Sequence, residues 1–246
     1  MNKPSAIVVG VGAEQGLGGA LCRRFAAEGY HVIVAGRTLA KIAKVSDAIT
    51  ASGGSAEAVE TDATDEGAAV SLFENAFAPR EGIDPPDLVV FNAGINRNIA
   101  FREVSAAQFE EFWRVCCLGG FLVGREAARH LAPLGRGTVI FTGASASLRG
   151  KAGFAQFASA KAGLRMISQS MAREFGPLGI HVAHTIIDGG IDGERLRMGR
   201  PGAVAAMGEN GLLHIDAIAD TYWHIHRQHP SAWTQEIDLR PFKESF

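Results

Sequence analysis

The sequence has few cysteines, almost no net charge and no long apolar run. Its three cysteines, Cys22, Cys116 and Cys117, form no CxxC pair, which argues against a disulfide framework or a structural zinc site and fits a reducing compartment. The formal charge of −2 gives no broad electrostatic attraction to nucleic acid or to an anionic membrane. No uncharged apolar run reaches about 18 residues, so we expect no membrane-spanning helix.

The composition is that of a folded domain. Hydrophobic residues make up 47% of the 246 residues and charged residues 20%, which excludes a disordered chain. The first residues lead directly into the apolar run 6–9, which is too short for a signal peptide. Because we find no repeat, low-complexity tract or linker, we expect one domain over residues 1–246, located in the cytoplasm.

Short apolar runs alternate with stretches of helical periodicity along most of the chain. The runs are mostly apolar throughout, as strands buried on both faces of a sheet should be. The predicted strands are Ala6–Gly10, His31–Gly36, Ala56–Thr61, Leu88–Asn92, Thr138–Thr142 and His181–Ile187. The predicted helices are Leu17–Glu28, Leu39–Thr50, Glu66–Ala78, Ala106–Leu131 and Phe154–Phe175. This order predicts an α/β fold, a doubly wound parallel sheet with helices on both faces.

The C-terminal part has a different pattern. Residues 189–214 contain seven glycines, one proline and three arginines with weak periodicity. We expect this segment to be mobile, to lie on the substrate side and to contain short helical pieces. After it, Ile215–Gln228 is predicted to be a helix and Trp233–Leu239 a last edge strand.

A glycine-rich turn follows the first predicted strand. Glycines let the backbone approach a pyrophosphate, and the N-terminus of the next helix offers free N–H groups to it. The order of strand, glycine loop and helix favours nucleotide binding over an ordinary strand–helix turn. The loop residues assigned to the cofactor are Gly12, Gln15, Gly16, Leu17 and Gly18.

The ends of the second and third strands indicate which nucleotide binds. An acidic residue after the second strand would hold a ribose 2′-hydroxyl, but the sequence has Arg37 and Thr38 there, which suit a 2′-phosphate. This favours NADP(H) over NAD(H), unless Arg37 is only a solvated charge at a helix start. Asp62, followed by Ala63, is placed to accept from the adenine amine or to cap a helix.

These residues resemble the short-chain dehydrogenase/reductase family over about residues 5–190. The resemblance depends on the glycine loop, on Asp62, on Asn92-Ala93-Gly94 after the fourth strand and on the stretch Phe157–Lys161. It implies a Rossmann-like fold, hydride transfer between nicotinamide and a small-molecule carbonyl or alcohol, and a homodimer or homotetramer. It also implies cofactor contacts from Asn92, Ala93, Gly94, Lys161 and Gly189, where Asp188-Gly189 replaces the usual Pro-Gly.

The catalytic tetrad of the family is incomplete. Family members use Asn, Ser, Tyr and Lys, and of these the Lys matches Lys161. Phe157 stands at the Tyr position, and Cys117 is predicted at the Asn position. The Ser position falls on Ala144, and Ser145 is one residue further on.

Phe157 cannot replace the family's Tyr as the proton donor. A phenyl ring has no ionisable proton, and loss of an acid–base group costs about 10²–10⁴ in rate. The chain resembles a small subgroup of the family with Phe before this Lys and a Trp-rich tail. Two other hypotheses remain: a non-catalytic NADP(H)-binding regulator or scaffold, and a non-redox enzyme such as a dehydratase or epimerase.

Several further side chains have two possible roles. Cys117 is a reactive thiol or a small core residue, and we prefer the core. His184 supplies a proton at the mouth of the site or packs beneath the 189–214 segment. The arginines at 195, 197 and 200 contact an acidic substrate or form a solvated face. The histidines at 224, 226 and 229 do not share one helix face, so we predict no metal site.

Overall fold

A computed structural model describes residues 2–244 of the chain. The strands are β1 Lys3–Val9, β2 His31–Gly36, β3 Ser55–Glu60, β4 Ile83–Phe91, β5 Gly137–Thr142, β6 Ile180–Ile187, β7 Ile191–Asp192, β8 Leu213–His214 and β9 Glu236–Leu239. The α-helices are α1 Leu17–Ala27, α2 Leu39–Ala51, α3 Glu66–Phe77, α4 Ala106–Trp113, α5 Gly119–Leu131, α6 Ala155–Phe175, α7 Glu194–Gly199, α8 Pro201–Met207 and α9 Ile215–His226.

Seven of these strands form one parallel sheet in the order β3-β2-β1-β4-β5-β6-β9. The predicted doubly wound α/β fold is therefore confirmed. Strand order reverses between β1 and β4, which is where ligands bind in open sheets of this kind, outside the carboxyl ends of the strands.

Alternate residues of each central strand are buried against opposite helix layers. On β1, Ala6 and Val8 belong to the core that contains α1, α2 and α9. Ile7 and Val9 belong to the core that contains α3, α5 and α6. Both faces of the sheet are covered, which explains why these strands are apolar throughout.

The predicted helix Ala106–Leu131 is wrong as one continuous helix. A π-helical turn, Arg114–Leu118, separates α4 from α5. The apolar pattern of the segment did not reveal such a turn, because no residue type marks the extra residue, and π turns are frequent at functional sites. Here the turn contains Cys116 and Cys117.

Three strand starts also differ from prediction by three to five residues, and the first strand begins at Lys3 rather than Ala6. The fourth strand starts at Ile83 rather than Leu88 and contains Pro85 and Pro86. Prolines are not expected inside a central strand. The ladder tolerates them because its pairing with β1 shifts register between Lys3 and Ala6. The last strand starts at Glu236 rather than Trp233, after the 3₁₀ turn Pro230–Ala232.

The segment 189–214 contains α7, α8 and the short parallel ladder of β7 with β8. The predicted helical pieces are thus found there, and its mobility stays a prediction. Among residues 2–244, no helix combines the length and the apolarity needed to cross a bilayer.

Candidate active site

A cleft of about 1190 Å³ opens at the carboxyl ends of the central strands. The turns after β1, β2, β3, β4 and β5 contribute its walls, and the start of α6 and the segment after β6 complete it. Most of the site residues expected from sequence line this cleft: Gly12, Gly16, Leu17, Gly18, Arg37, Thr38, Asp62, Ala63, Asn92, Ala93, Gly94, Ser145, Phe157, Lys161 and Gly189. Gln15 and Cys117 lie outside the cleft lining.

The glycine loop places bare backbone at the mouth of the cleft. A Cβ on Gly18 would lie 3.0 Å from Val11 Cα, so this glycine lets α1 start close against β1. A Cβ on Gly12 would meet nothing within 4 Å, although Gly12 lines the cleft. The cleft therefore has free space beside the loop, at the N-terminus of α1, where a pyrophosphate would bind.

One glycine that sequence reasoning missed supports the same loop. Gly36 ends β2, and a Cβ there would clash with Val11 O. Val11 N in turn donates to Ala35 O at 3.0 Å. The close approach of these two turns is a tertiary feature, so the only signal in the sequence was a glycine at the end of a strand.

The part of the cleft next to the end of β2 has basic side chains. Arg37 and Thr38 both line the cleft, as does Lys41 in the first turn of α2, which sequence reasoning missed. Thr38 is the N-cap residue of α2 but makes no side-chain capping bond. Two cationic side chains, Arg37 and Lys41, therefore line this part of the cleft.

Asp62 is held by a local turn rather than by helix capping. Its Oδ1 accepts hydrogen bonds from Thr64 N and Thr64 Oγ1, both at 2.9 Å. The N-cap residue of α3 is instead Asp65, which accepts from Ala68 N at 2.7 Å. The alternative that Asp62 caps this helix is therefore wrong.

The turn after β4 joins the two halves of the cleft. Asn92 N donates to Val9 O at 2.8 Å, and Asn92 Nδ2 donates to Gly10 O at 3.4 Å. A Cβ on Gly94 would lie 3.6 Å from Lys161 Nζ. The Asn92–Gly94 turn therefore lies between the glycine loop and the lysine.

Lys161 is buried on α6 and points to the end of β5. Its Nζ donates to Thr142 O at 2.7 Å. Burial lowers the pKa of the Lys161 ammonium, because the charged form loses solvation, and the neighbouring thiols of Cys116 and Cys117 oppose that shift. Phe157, four residues earlier on the same helix, also lines the cleft.

The two cysteines of the π turn face different neighbours. Cys116 Sγ lies 3.7 Å from Ile95 O, next to the turn after β4. Cys117 Sγ packs towards Gly163 on α6. Burial raises the pKa of the Cys117 thiol to about 11, so its environment suits a protonated core thiol.

A buried polar chain lies directly behind the turn that contains Ser145. Ala144 N donates to Ser147 Oγ at 3.2 Å, and Ser147 Oγ is 3.4 Å from His184 Nε2. His184 Nδ1 is 3.0 Å from Glu236 Oε2, and the Glu236 carboxylate accepts two bonds from Arg165.

His184 is fully buried and does not line the cleft. Burial lowers its pKa to about 4, which outweighs the opposing effect of Glu236, so the ring is neutral near pH 7. A neutral ring accepts from Ser147 at Nε2 and donates from Nδ1 to Glu236. Proton supply at the mouth of the site therefore does not fit His184. Its partners Ser147 and Glu236 lie outside the 189–214 segment, beneath which it was expected to pack.

The 189–214 segment touches both walls of the cleft. Glu194 N donates to Gln15 O at 2.8 Å on the glycine-loop side. Arg195 Nη2 donates to Asn96 O at 3.3 Å on the side of the turn after β4. Arg195 and Arg200 line the cleft, whereas Arg197 forms an exposed ion pair with Asp192.

The C-terminal histidines have separate surroundings. His226 is bound between Tyr30 Oη, at 2.7 Å, and Thr138 Oγ1, at 2.9 Å, while His224 is exposed. Within residues 2–244, no three His, Cys, Asp or Glu side chains are grouped as metal ligands.

A nucleotide-sized cleft at the switch point of a doubly wound sheet, with a glycine loop at its mouth, defines a dinucleotide-binding fold. Comparison with known proteins gives the family: the short chain dehydrogenase profile matches residues 6–197. The chain therefore belongs to the short-chain dehydrogenase family.

Individual relatives agree with this assignment. An uncharacterized oxidoreductase of Bacillus subtilis, YuxG, is 35% identical over 188 residues, covering 75% of this chain and 27% of YuxG. Gluconate 5-dehydrogenase of Gluconobacter oxydans is 26% identical over 171 residues, covering 70% of this chain and 66% of that enzyme. This chain thus matches about a quarter of the first relative and just under two thirds of the second.

Among solved structures, a short-chain dehydrogenase from Rhodopseudomonas palustris superposes with a TM-score of 0.82. It is 37% identical and covers 97% of this chain and 99% of its own. The likeness therefore includes the C-terminal part that the family profile leaves out.

Proposed function

We propose that the protein is an NADP(H)-dependent oxidoreductase that transfers hydride between the nicotinamide and a small-molecule carbonyl or alcohol. The observation that carries the proposal is the cleft itself, with open space at Gly12 and two cations, Arg37 and Lys41, where β2 ends. When bound, the cofactor supplies or accepts the hydride. By the family resemblance, the protein acts as a homodimer or homotetramer.

Different residues of the cleft bind different parts of this cofactor. The N-terminus of α1 and the bare loop backbone receive the pyrophosphate, and Arg37 with Lys41 receives the 2′-phosphate. Asp62 accepts from the adenine amine through the oxygen that Thr64 leaves free. Lys161 turns from Thr142 O towards the nicotinamide ribose, and Gly94 and Gly189 line the cleft on the same side of the cofactor.

The reacting end lacks the family's phenol. Phe157 cannot donate a proton, and Cys117 packs outside the cleft, so we propose Ser145 or a water beside Lys161 as the proton source. Because Phe157 stands at the Tyr position, we also propose that the chain belongs to the subgroup of the family that has Phe there. The same residue favours a second candidate function, a protein that binds NADP(H) without turnover and acts as a regulator or scaffold.

Calorimetric titration with NADPH and NADH tests the proposal. We expect micromolar or tighter NADPH binding and weaker NADH binding. Arg37→Ala should weaken NADPH binding about 10-fold or more, since a charge-assisted bond is worth about 1.5–3 kcal/mol, and change NADH binding much less. Lys44→Ala, an exposed charge on α2 outside the cleft, is the matched control.

Three results would count against this proposal. Failure to bind either nucleotide would exclude the dinucleotide site. An equal loss of NADPH and NADH affinity in Arg37→Ala would show that Arg37 does not bind the 2′-phosphate. Tight NADPH binding with no turnover of any carbonyl or alcohol would favour the regulator or scaffold.

A further inference from the structure

One arginine of α7 lines the cleft and has no carboxylate partner. Arg195 Nη2 donates to Asn96 O at 3.3 Å, and within residues 2–244 the Arg195 guanidinium forms no ion pair. Arg197, two residues later, is not part of the cleft lining and donates twice to the Asp192 carboxylate, at 2.7 Å each. The structure therefore separates a cation that is available to a ligand of the cleft from one that is already neutralised.

The bond to Asn96 places this guanidinium near the reacting end. A Cβ on Gly94, two residues before Asn96, would lie 3.6 Å from Lys161 Nζ. Consecutive Cα atoms are about 3.8 Å apart, so Asn96 Cα lies within about 7.6 Å of Gly94 Cα. The same segment contacts the glycine loop through Glu194 N, on the other wall. The guanidinium is thus on the Lys161 side of the cleft and not on the side where the pyrophosphate is proposed to bind.

The charge that the 189–214 segment brings to the cleft is positive. The charged side chains that it contributes to the lining are Glu194, Arg195 and Arg200, so the two cations exceed the single anion by one. A guanidinium holds a carboxylate through two parallel N–H bonds. A carboxylate carries one negative charge, whereas a phosphate group carries about 1.5 to 2. One net positive charge therefore matches a carboxylate better than a phosphate.

From this we propose that the substrate is an oxo acid or the corresponding hydroxy acid, whose carboxylate pairs with Arg195 while its carbonyl or hydroxyl lies beside Lys161. This inference rests on the proposed function, because it names the substrate class of the same cleft. An arginine has five N–H donors, so the bond to Asn96 O leaves others for the carboxylate. That bond also orients the guanidinium before the substrate arrives, which lowers the cost of ordering it on binding.

The size of the expected effect follows from the exposure of Arg195. A hydrogen bond to a charged group changes affinity about 10- to 150-fold, as about 1.5–3 kcal/mol predicts. Arg195 is exposed, and salt screens exposed charges, so we expect the lower end of this range. A primary amide has nearly the shape of the carboxylate but no charge, so a comparison of the two isolates the ionic contribution.

The experiment measures ligand binding to the protein saturated with NADP⁺, by calorimetry at about 0.15 M salt. The probes are 4-oxopentanoate, 5-oxohexanoate and 6-oxoheptanoate, each compared with its primary amide. We expect the carboxylate of at least one length to bind about 10-fold more tightly than its amide. Equal binding of carboxylate and amide at every length, or no measurable binding of any carboxylate, would overturn the inference.

A pair of variants on one helix locates the effect. Arg195→Gln removes the charge from the cleft, so it should lower the affinity of the carboxylate to that of its amide and leave NADP⁺ affinity unchanged. Arg197→Gln removes the same charge outside the cleft lining and should keep the native preference. The same loss in both variants would refute the assigned site, because the preference would then come from the general positive charge of the segment.

Failure of this inference is separable from failure of the proposed function. If Arg195→Gln weakens NADP⁺ binding as much as carboxylate binding, the guanidinium binds the cofactor pyrophosphate and the inference is wrong. NADP⁺ binding with no preference for carboxylates in the native protein removes the substrate class and leaves the cofactor site intact. Absence of NADP⁺ binding removes the oxidoreductase proposal and the substrate class together.

Discussion

The buried His184 should make the protein sensitive to acid. In the folded protein the ring is enclosed between Ser147 and Glu236, and burial lowers its pKa to about 4, against 6.5 for an ordinary histidine. The unfolded chain therefore binds a proton that the folded chain does not, as pH falls from about 6.5 to about 4. Stability rises with pH wherever the unfolded state binds more protons, so acid is destabilising in this window.

The size of the effect follows from the two pKa values. At pH 5 the ring is almost fully protonated in the unfolded chain and about one tenth protonated in the folded chain, which costs about 2 kcal/mol relative to pH 8. Below pH 4 the cost reaches about 3 kcal/mol, at 1.36 kcal/mol per pKa unit. His226, whose pKa burial also lowers to about 4, adds a similar loss in the same window.

Urea unfolding at pH 8 and pH 5 measures this loss. His184→Asn should be less stable than the native protein at both pH values, because it leaves a cavity, but its loss between them should be smaller by about 2 kcal/mol. His224→Asn, at an exposed position on α9, is the control. The reasoning is refuted if His184→Asn shows the same loss between the two pH values as the native protein.

Three further predictions concern the cofactor cleft. Lys161→Met should weaken NADPH binding roughly 10-fold or more, as loss of a charged hydrogen bond predicts, and an unchanged dissociation constant would contradict its ribose role. Gly36→Ala should lower the melting temperature, because its Cβ clashes with Val11 O and overpacking costs about 1–3 kcal/mol. Gly12→Ala should melt like the native protein but bind NADPH more weakly, because its Cβ enters open cleft space; normal affinity in this variant would show that the space is not used.

Much of the fold followed from local sequence patterns. The strands around the glycine loop and the helices after them were predicted to within a few residues, because burial on both faces makes their apolar runs continuous. The π turn was not predicted, since no residue type marks the extra residue that it contains. The fourth strand was predicted too short because its prolines are tolerated only through a register shift with β1.

The candidate site was predicted unevenly for a similar reason. Glycines and strand-end residues such as Arg37 occupy fixed places relative to the sheet, so sequence order was enough to bring them to one cleft. Gly36 and Lys41 were missed because their contribution to the site depends on the position of a neighbouring turn. The chain from Ser147 through His184 to Glu236 joins residues far apart in sequence, and the pairing of β6 with β9 brings them together.

The sequence by itself determined the alternation of strands and helices, the glycine loop and the spacing of Phe157 before Lys161, because each depends on residue type at a local spacing. Only the tertiary structure decided which side chains face the cleft. Cys117 turns away from it, His184 lies buried behind it, and Ile95, Val115 and Phe154 line it. Burial and contact are properties of the packed chain, since they depend on which elements meet and at what register.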